Sequence, residues 1–120
     1  MAVPRPEVRS IDPAAMRSHA GSAANLLKAL ANEKRLMILC LLAEAERSVG
    51  ELNALVDLSQ SALSQHLAVL REEGLVDTRR EAQSIYYSLV PGPAYRIIHT
   101  LHGIYCAPSA YSPHPPASTP

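Results

Sequence analysis

Ser59-Gln60-Ser61-Ala62-Leu63-Ser64-Gln65-His66-Leu67-Ala68-Val69-Leu70-Arg71-Glu72-Glu73-Gly74 reads as one helix carrying both of its stop signals. Ser59 suits the N-cap, where a hydroxyl accepts from an orphan backbone N–H. Gly74 suits the position just past the last turn, where the backbone turns left-handed. At about 100° per residue, Leu63, Leu67 and Leu70 share one face and Ser61, Ser64, Gln65 and Ala68 the opposite one. Upstream, Ser48-Val49-Gly50-Glu51 has the form of a capping box, so a short helix runs to about Val56. Only the segment around Asp57-Leu58 separates the two, the spacing of a helix-turn-helix. Downstream, Leu75–Arg80 and Ser84–Val90 read as strands joined at Glu81-Ala82-Gln83, the second of them rich in β-formers. A hairpin directly after the second helix of such a pair makes the unit winged.

Outward from this unit the chain remains helical. Asn32 can cap a helix in which Leu36–Ala43 is an unbroken apolar run, and a helix apolar on nearly every side is a buried one. A first helix covers Ala14–Leu30, with Gly21 its weak point. Pro91-Gly92-Pro93 breaks the chain before a last helix over Ala94–Cys106, weakened by Gly103. Pro4, Pro6 and Pro13 mark residues 1–13 as a flexible N-terminal segment, and Pro108, Pro113, Pro115, Pro116 and Pro120 mark 107–120 as a flexible tail. The fold class is therefore mainly α with a β-hairpin wing, a winged helix-turn-helix over residues 14–106.

A chain of 120 residues, 48% apolar, is enough for a single modest core. Lys plus Arg and Asp plus Glu both number 11, so the net charge is zero and no whole-chain attraction to nucleic acid or membrane follows. Residues 47–80 even lean acidic, with Arg47, Arg71, Arg79 and Arg80 against Glu51, Asp57, Glu72, Glu73 and Asp77. Residues 1–35 lean the other way, with six basic groups against three acidic. No apolar run approaches the roughly 18–20 residues of a membrane span, and no signal-peptide pattern opens the chain. The expectation is a cytoplasmic protein with no membrane partner. Two cysteines, Cys40 and Cys106, are too few for a disulfide scaffold or a four-thiolate zinc site.

The face of the 59–74 helix opposite its leucines carries short hydroxyls and an amide. Such groups suit base edges and phosphates in the major groove, and Gln can bond adenine through two hydrogen bonds. The same residues also serve simply to solvate an exposed face. The hairpin tips the reading toward DNA, because Arg79 and Arg80 near its tip, with Gln83, can reach phosphates or the adjacent minor groove. Ser59, Gln60, Ser61, Ser64, Gln65 and Arg71 complete the candidate DNA contacts. His66, at the edge of the apolar face, is open either to packing or to a phosphate.

The chain resembles the ArsR-type winged-helix repressors in four places. Leu30-Ala31-Asn32-Glu33-Lys34-Arg35-Leu36 is similar to their second-helix opening, and Ser59-Gln60-Ser61-Ala62-Leu63-Ser64-Gln65-His66-Leu67 to their recognition helix. Leu70-Arg71-Glu72-Glu73-Gly74-Leu75-Val76 is similar to the exit into the wing, and Ile85-Tyr86-Tyr87-Ser88-Leu89 to the returning wing strand. The likeness spans about residues 24–106. It implies a homodimer joined through the first and last helices, bound to a palindromic double-stranded operator and released by an inducer. Two-fold proteins of this kind read half-sites roughly 34–36 Å apart.

For the inducer, the resemblance offers two directions. Metal-sensing relatives carry a thiolate pair that would fall near Ser48–Leu52, where there is no cysteine, or an Asp-x-His opening of the last helix, where this chain has Ala94-Tyr95-Arg96. His99, His102 and Cys106 still share one helical stripe and stand as an alternative metal set, although such a stripe is more often interface packing. The pairing of Cys40 with Cys106 resembles the dithiol branch of the family, whose members repress genes for sulfide oxidation, biofilm growth or virulence. That likeness implies a redox-sensing pair answering reactive sulfur species or oxidants, with no cofactor. The residues alone favour Cys40 as a small core residue, and only the resemblance turns the reading toward a sensor. A thiol oxidoreductase and a winged helix that binds protein rather than DNA are the readings from other classes; the sequence shows neither C-x-x-C nor a phosphate-cradling Gly loop.

Overall fold

A computed structural model describes residues 10–106. The expectations for residues 1–9 and 107–120 lie outside the described residues. Nine elements follow in order: α1 (Pro13–Arg17), α2 (Ala20–Leu30), α3 (Glu33–Glu44), β1 (Arg47–Ser48), α4 (Val49–Leu55), α5 (Gln60–Glu72), β2 (Val76–Glu81), β3 (Ser84–Leu89) and α6 (Pro93–Tyr105).

The caps explain most of these boundaries. Asn32 Oδ1 accepts from the Lys34 and Arg35 N–H groups, both at 3.0 Å, and opens α3. Ser48 and Glu51 close the full capping box of α4, with Ser48 Oγ accepting from Glu51 N–H at 3.1 Å and Glu51 Oε1 from Ser48 N–H at 2.8 Å. Ser59 Oγ accepts from Ala62 N–H at 3.1 Å and opens α5. At its far end Gly74 takes a φ of 74°, its N–H donates to Arg71 O, and Leu75 N–H reaches back to Leu70 O. That is a Schellman closure, sealed by the apolar pair Leu70 and Leu75, both buried.

Three expectations need correction. The single helix over 14–30 is two, broken at Ser18-His19, where Ser18 Oγ donates to Ala15 O at 3.0 Å and competes with the helical ladder. Gly21, the expected weak point, sits inside α2 without breaking it. The irregular N-terminal segment also ends early: Asp12 Oδ1 accepts from Ala14 N–H, and Pro13 occupies the first turn, where its missing donor costs nothing. Finally, α3 is not buried on nearly every side. Ile38, Leu39 and Leu42 are in the core, but Met37 is 49% exposed.

The strands β1, β3 and β2 form one antiparallel sheet in that order. β1 went unpredicted because two residues, Arg47 and Ser48, leave no period to read; they pair with Tyr87 and Tyr86. The hairpin turns on Ala82-Gln83, with Glu81 opposite Ser84 and Ala82 at a φ of 57°. The core beneath gathers Leu30, Ile38, Leu39, Leu42, Leu52, Leu63, Leu67, Leu70, Val76 and Ile98, and no polar side chain is buried among the described residues. Leucines at 63, 67 and 70 thus bolt α5 down by one face and leave the other free. Among the described residues no helix is long and apolar enough to cross a membrane.

Candidate DNA interface and cysteine cleft

The free face of α5 carries the predicted residues. Gln60, Ser61, Ser64, Gln65, Ala68 and Arg71 are exposed, while Leu63, Leu67 and Leu70 are buried. Ser59 is exposed as well, but its hydroxyl is occupied by the cap and lies 3.4 Å from Ser61 Oγ, so its first role is to start the helix. Arg71 borders a shallow cleft with Ser64, Ala68 and Tyr87, where α5 meets β3. Gln60 and Gln83, far apart in sequence, line one polar cleft with Ser48, Asn53 and Ser84. The wing tip and the start of α5 therefore each contribute an amide to one cleft, and amide N–H groups can donate to phosphate oxygens.

The two wing arginines part company. Alternation along β2 places them on opposite faces. Arg80 is exposed and has no carboxylate partner among the described residues. Arg79 donates twice to Glu46, both at 2.8 Å, and once to Glu81 at 2.8 Å, with its guanidinium 4.7 Å from the Tyr86 ring centre. These hydrogen bonds, Glu46's first, raise the arginine's pKa further and hold the Glu46 carboxyl below its usual range. Arg79 thus ties the wing to the loop after α3, and its charge is already matched. His66 is half-buried, its Nδ1 3.3 Å from an Arg35 terminal nitrogen. Burial and then the Arg35 charge lower its pKa. The pairings of Arg79 with Glu46 and of His66 with Arg35 were not legible in sequence, because 33 and 31 residues separate them.

Cys40 is half-buried on α3 and opens into a cleft of about 360 Å³ lined by Tyr95, Ile98, His99 and His102 of α6. Cys106 is exposed and caps α6, its N–H donating to His102 O at 2.8 Å. It therefore stands about one turn beyond His102, roughly 6 Å along the axis, and is not among the residues lining the Cys40 cleft. Both thiols are free. His99, His102 and Cys106, spaced at i, i+3 and i+7, lie along roughly 10 Å of α6. Among the described residues no group of three or more His, Cys, Asp or Glu forms a metal cluster, so the alternative metal set is not assembled within the chain.

Comparison with known proteins places this geometry. Residues 32–78 match the family model described as bacterial regulatory protein, arsR family. The chain is 54% identical over 91 residues to the transcriptional activator HlyU of Vibrio cholerae, covering 76% of this chain and 84% of that protein. The solved structure of reduced HlyU superposes with a TM-score of 0.74 at 53% identity, over 78% of this chain and 98% of that one. The transcriptional repressor BigR from Xylella fastidiosa superposes with a TM-score of 0.75 at 43% identity, over 81% and 99% of the two chains. The homodimeric winged helix-turn-helix DNA-binding domain Mb0332 from Mycobacterium bovis does so with a TM-score of 0.63 at 32% identity, over 80% and 86%. Such relatives are DNA-binding transcriptional regulators and not enzymes, which removes the thiol oxidoreductase reading. With its capped recognition helix, paired wing strands and more than half of its matched residues shared with one such regulator, the chain belongs to the ArsR family of bacterial transcriptional regulators.

Proposed function

We propose that the protein is a homodimeric repressor that leaves its operator when Cys40 and Cys106 become linked by reactive sulfur species or oxidants. The observation that carries this reading is the cleft in which Cys40 of α3 faces Tyr95, Ile98, His99 and His102 of α6, the helix that Cys106 caps. Closing a bridge there would tie α3 to α6. A direct disulfide requires Cα atoms about 4.4–6.8 Å apart, and a longer sulfur bridge spans a wider gap.

The dimer supplies the lever. Ile11, Met16 and Leu27 on or beside the N-terminal helices are 77%, 52% and 56% exposed, and Tyr95 and Tyr105 on α6 are 43% and 63% exposed. Large apolar side chains on the first and last helices fit a subunit contact, and one solved relative is homodimeric. A shift of α6 then alters the separation of two copies of α5, and with it their fit to successive major grooves. On the DNA side, Gln60, Ser61, Ser64 and Gln65 reach the groove, while Arg71, Arg80 and Gln83 hold phosphates. Ser59, His66 and Arg79 act by fixing the helix and the wing.

The chemistry balances with either inducer. A peroxide oxidises one thiolate to a sulfenic acid, and the second thiol displaces water to give the disulfide. A persulfide passes its outer sulfur to one thiolate and leaves as a thiol; the second cysteine then displaces hydrogen sulfide. Peptide mass spectrometry after either treatment tests the proposal. A Cys40–Cys106 crosslink that appears as DNA is released supports it; release with both thiols unlinked overturns it.

A further inference from the structure

Arg35 stands at the corner between α2 and α3 and divides its donors among three acceptors. Its Nε donates to Ala29 O at 2.7 Å, one terminal nitrogen donates to Lys28 O at 3.2 Å, and the other lies 3.3 Å from His66 Nδ1. The first two bonds satisfy carbonyls at the end of α2, where a cation is also favoured by the helix dipole. The third crosses to α5. Among the described residues, no other α5 side chain hydrogen-bonds beyond its own helix and cap.

This contact fixes the state of His66. A guanidinium donates and cannot accept, so Nδ1 is the acceptor and the imidazole proton sits on Nε2. Burial and the Arg35 charge lower the ring's pKa, the direction that favours the neutral form the bond requires. The leucine face of α5 holds it by apolar packing, which is non-directional. A charge-assisted hydrogen bond, by contrast, fixes rotation about the helix axis.

We propose that Arg35 is a positioning residue for DNA recognition: through His66 Nδ1 it ties α5 to the α2–α3 corner, so that displacement of the N-terminal helices turns the reading face. The proposal rests on the reading that α5 enters DNA. It makes His66 a strut of α5 rather than a groove contact, and it gives the N-terminal helices a route to the recognition helix that does not pass through the wing.

The test uses the full chain and a duplex that the wild-type protein selects from a random-sequence pool. His66→Gln removes the Nδ1 acceptor but leaves Arg35 on its two carbonyls, so α2 stays capped. His66→Asn places an oxygen near the Nδ1 position and lacks any counterpart of Nε2. Arg35→Met and His66→Gln are expected to weaken binding about tenfold, while His66→Asn stays within about twofold of wild type. The double variant Arg35→Met/His66→Gln is expected to bind no worse than the weaker single variant, because the Arg35–His66 bond is already lost in either one. Nitrogen-15 spectra of the imidazole are expected to show a bare Nδ1 in the wild type and a mixture of tautomers in Arg35→Met. An Asn variant as weak as the Gln variant, additive single effects, or a proton on Nδ1 would each overturn the proposal. A wild-type protein that selects no duplex overturns the DNA reading itself, whereas failure confined to the variants overturns only the strut.

Discussion

Replacing Leu67 and Gln65 by alanine, one at a time, separates the two jobs of α5. Leu67 is 2% exposed and packs in the leucine core, so Leu67→Ala removes buried methyl groups and leaves a cavity. Such truncations cost about 2–5 kcal/mol. Taking about 3 kcal/mol, and roughly 4–8 °C per kcal/mol for a domain of this size, Tm falls by about 12 °C or more. Gln65 is exposed two residues away and touches nothing that stabilises the fold. Gln65→Ala therefore leaves Tm within about 4 °C, since surface substitutions stay within about 0.5 kcal/mol. A lost bidentate base contact is worth about 1–3 kcal/mol, so DNA affinity falls about 5–150-fold for each half-site. The assays are thermal unfolding at one fixed protein concentration, because subunit association shifts Tm, and fluorescence anisotropy on the selected duplex. If Gln65→Ala lowers Tm as far as Leu67→Ala, or leaves affinity untouched, the assignment of the two faces is wrong.

Ser59→Ala removes the acceptor for Ala62 N–H and is expected to destabilise the fold by about 1 kcal/mol, read by urea unfolding. Glu46→Gln removes the negative charge and one of the two acceptors facing Arg79; its effect on stability is small and shrinks with added salt, since the pair is exposed. Because the folded state holds Glu46 below its ordinary pKa, that contribution is present at neutral pH and fades as acid carries the carboxyl through its lowered value, so wild type and Glu46→Gln converge in acid unfolding curves. Despite zero net charge, DNA affinity is expected to fall steeply with salt, with a log–log slope of about −0.9 for every phosphate contacted. Arg80→Gln reduces that slope by about one for each subunit's lost contact and weakens binding evenly across sequences.

What could be read from the chain divides by range. Asn32, Ser48 with Glu51, Ser59 and Gly74 act on atoms within a few residues, so their consequences are local, and the structure places helix ends where they predict. The leucine period of α5 is equally local, and it foretold which face is buried. The break at Ser18-His19 escaped because Ala- and Leu-rich sequence favours helix throughout, and one hydroxyl turning back on Ala15 O decides it. β1 exists only because β3 offers Tyr86 and Tyr87 an empty edge. Arg79 looked free to meet DNA until Glu46 was found against it, and His66 looked ambiguous until Arg35 was found. Such partners are set by tertiary packing, which no short window contains.

The account stands most directly on the operator affinity of one protein sample measured reduced, then with Cys40 and Cys106 linked, then reduced again. Linkage is predicted to weaken binding about 5–150-fold, the range of an allosteric coupling of about 1–3 kcal/mol, and reductant is predicted to restore it. Linked protein that holds the duplex as tightly as reduced protein would contradict the account.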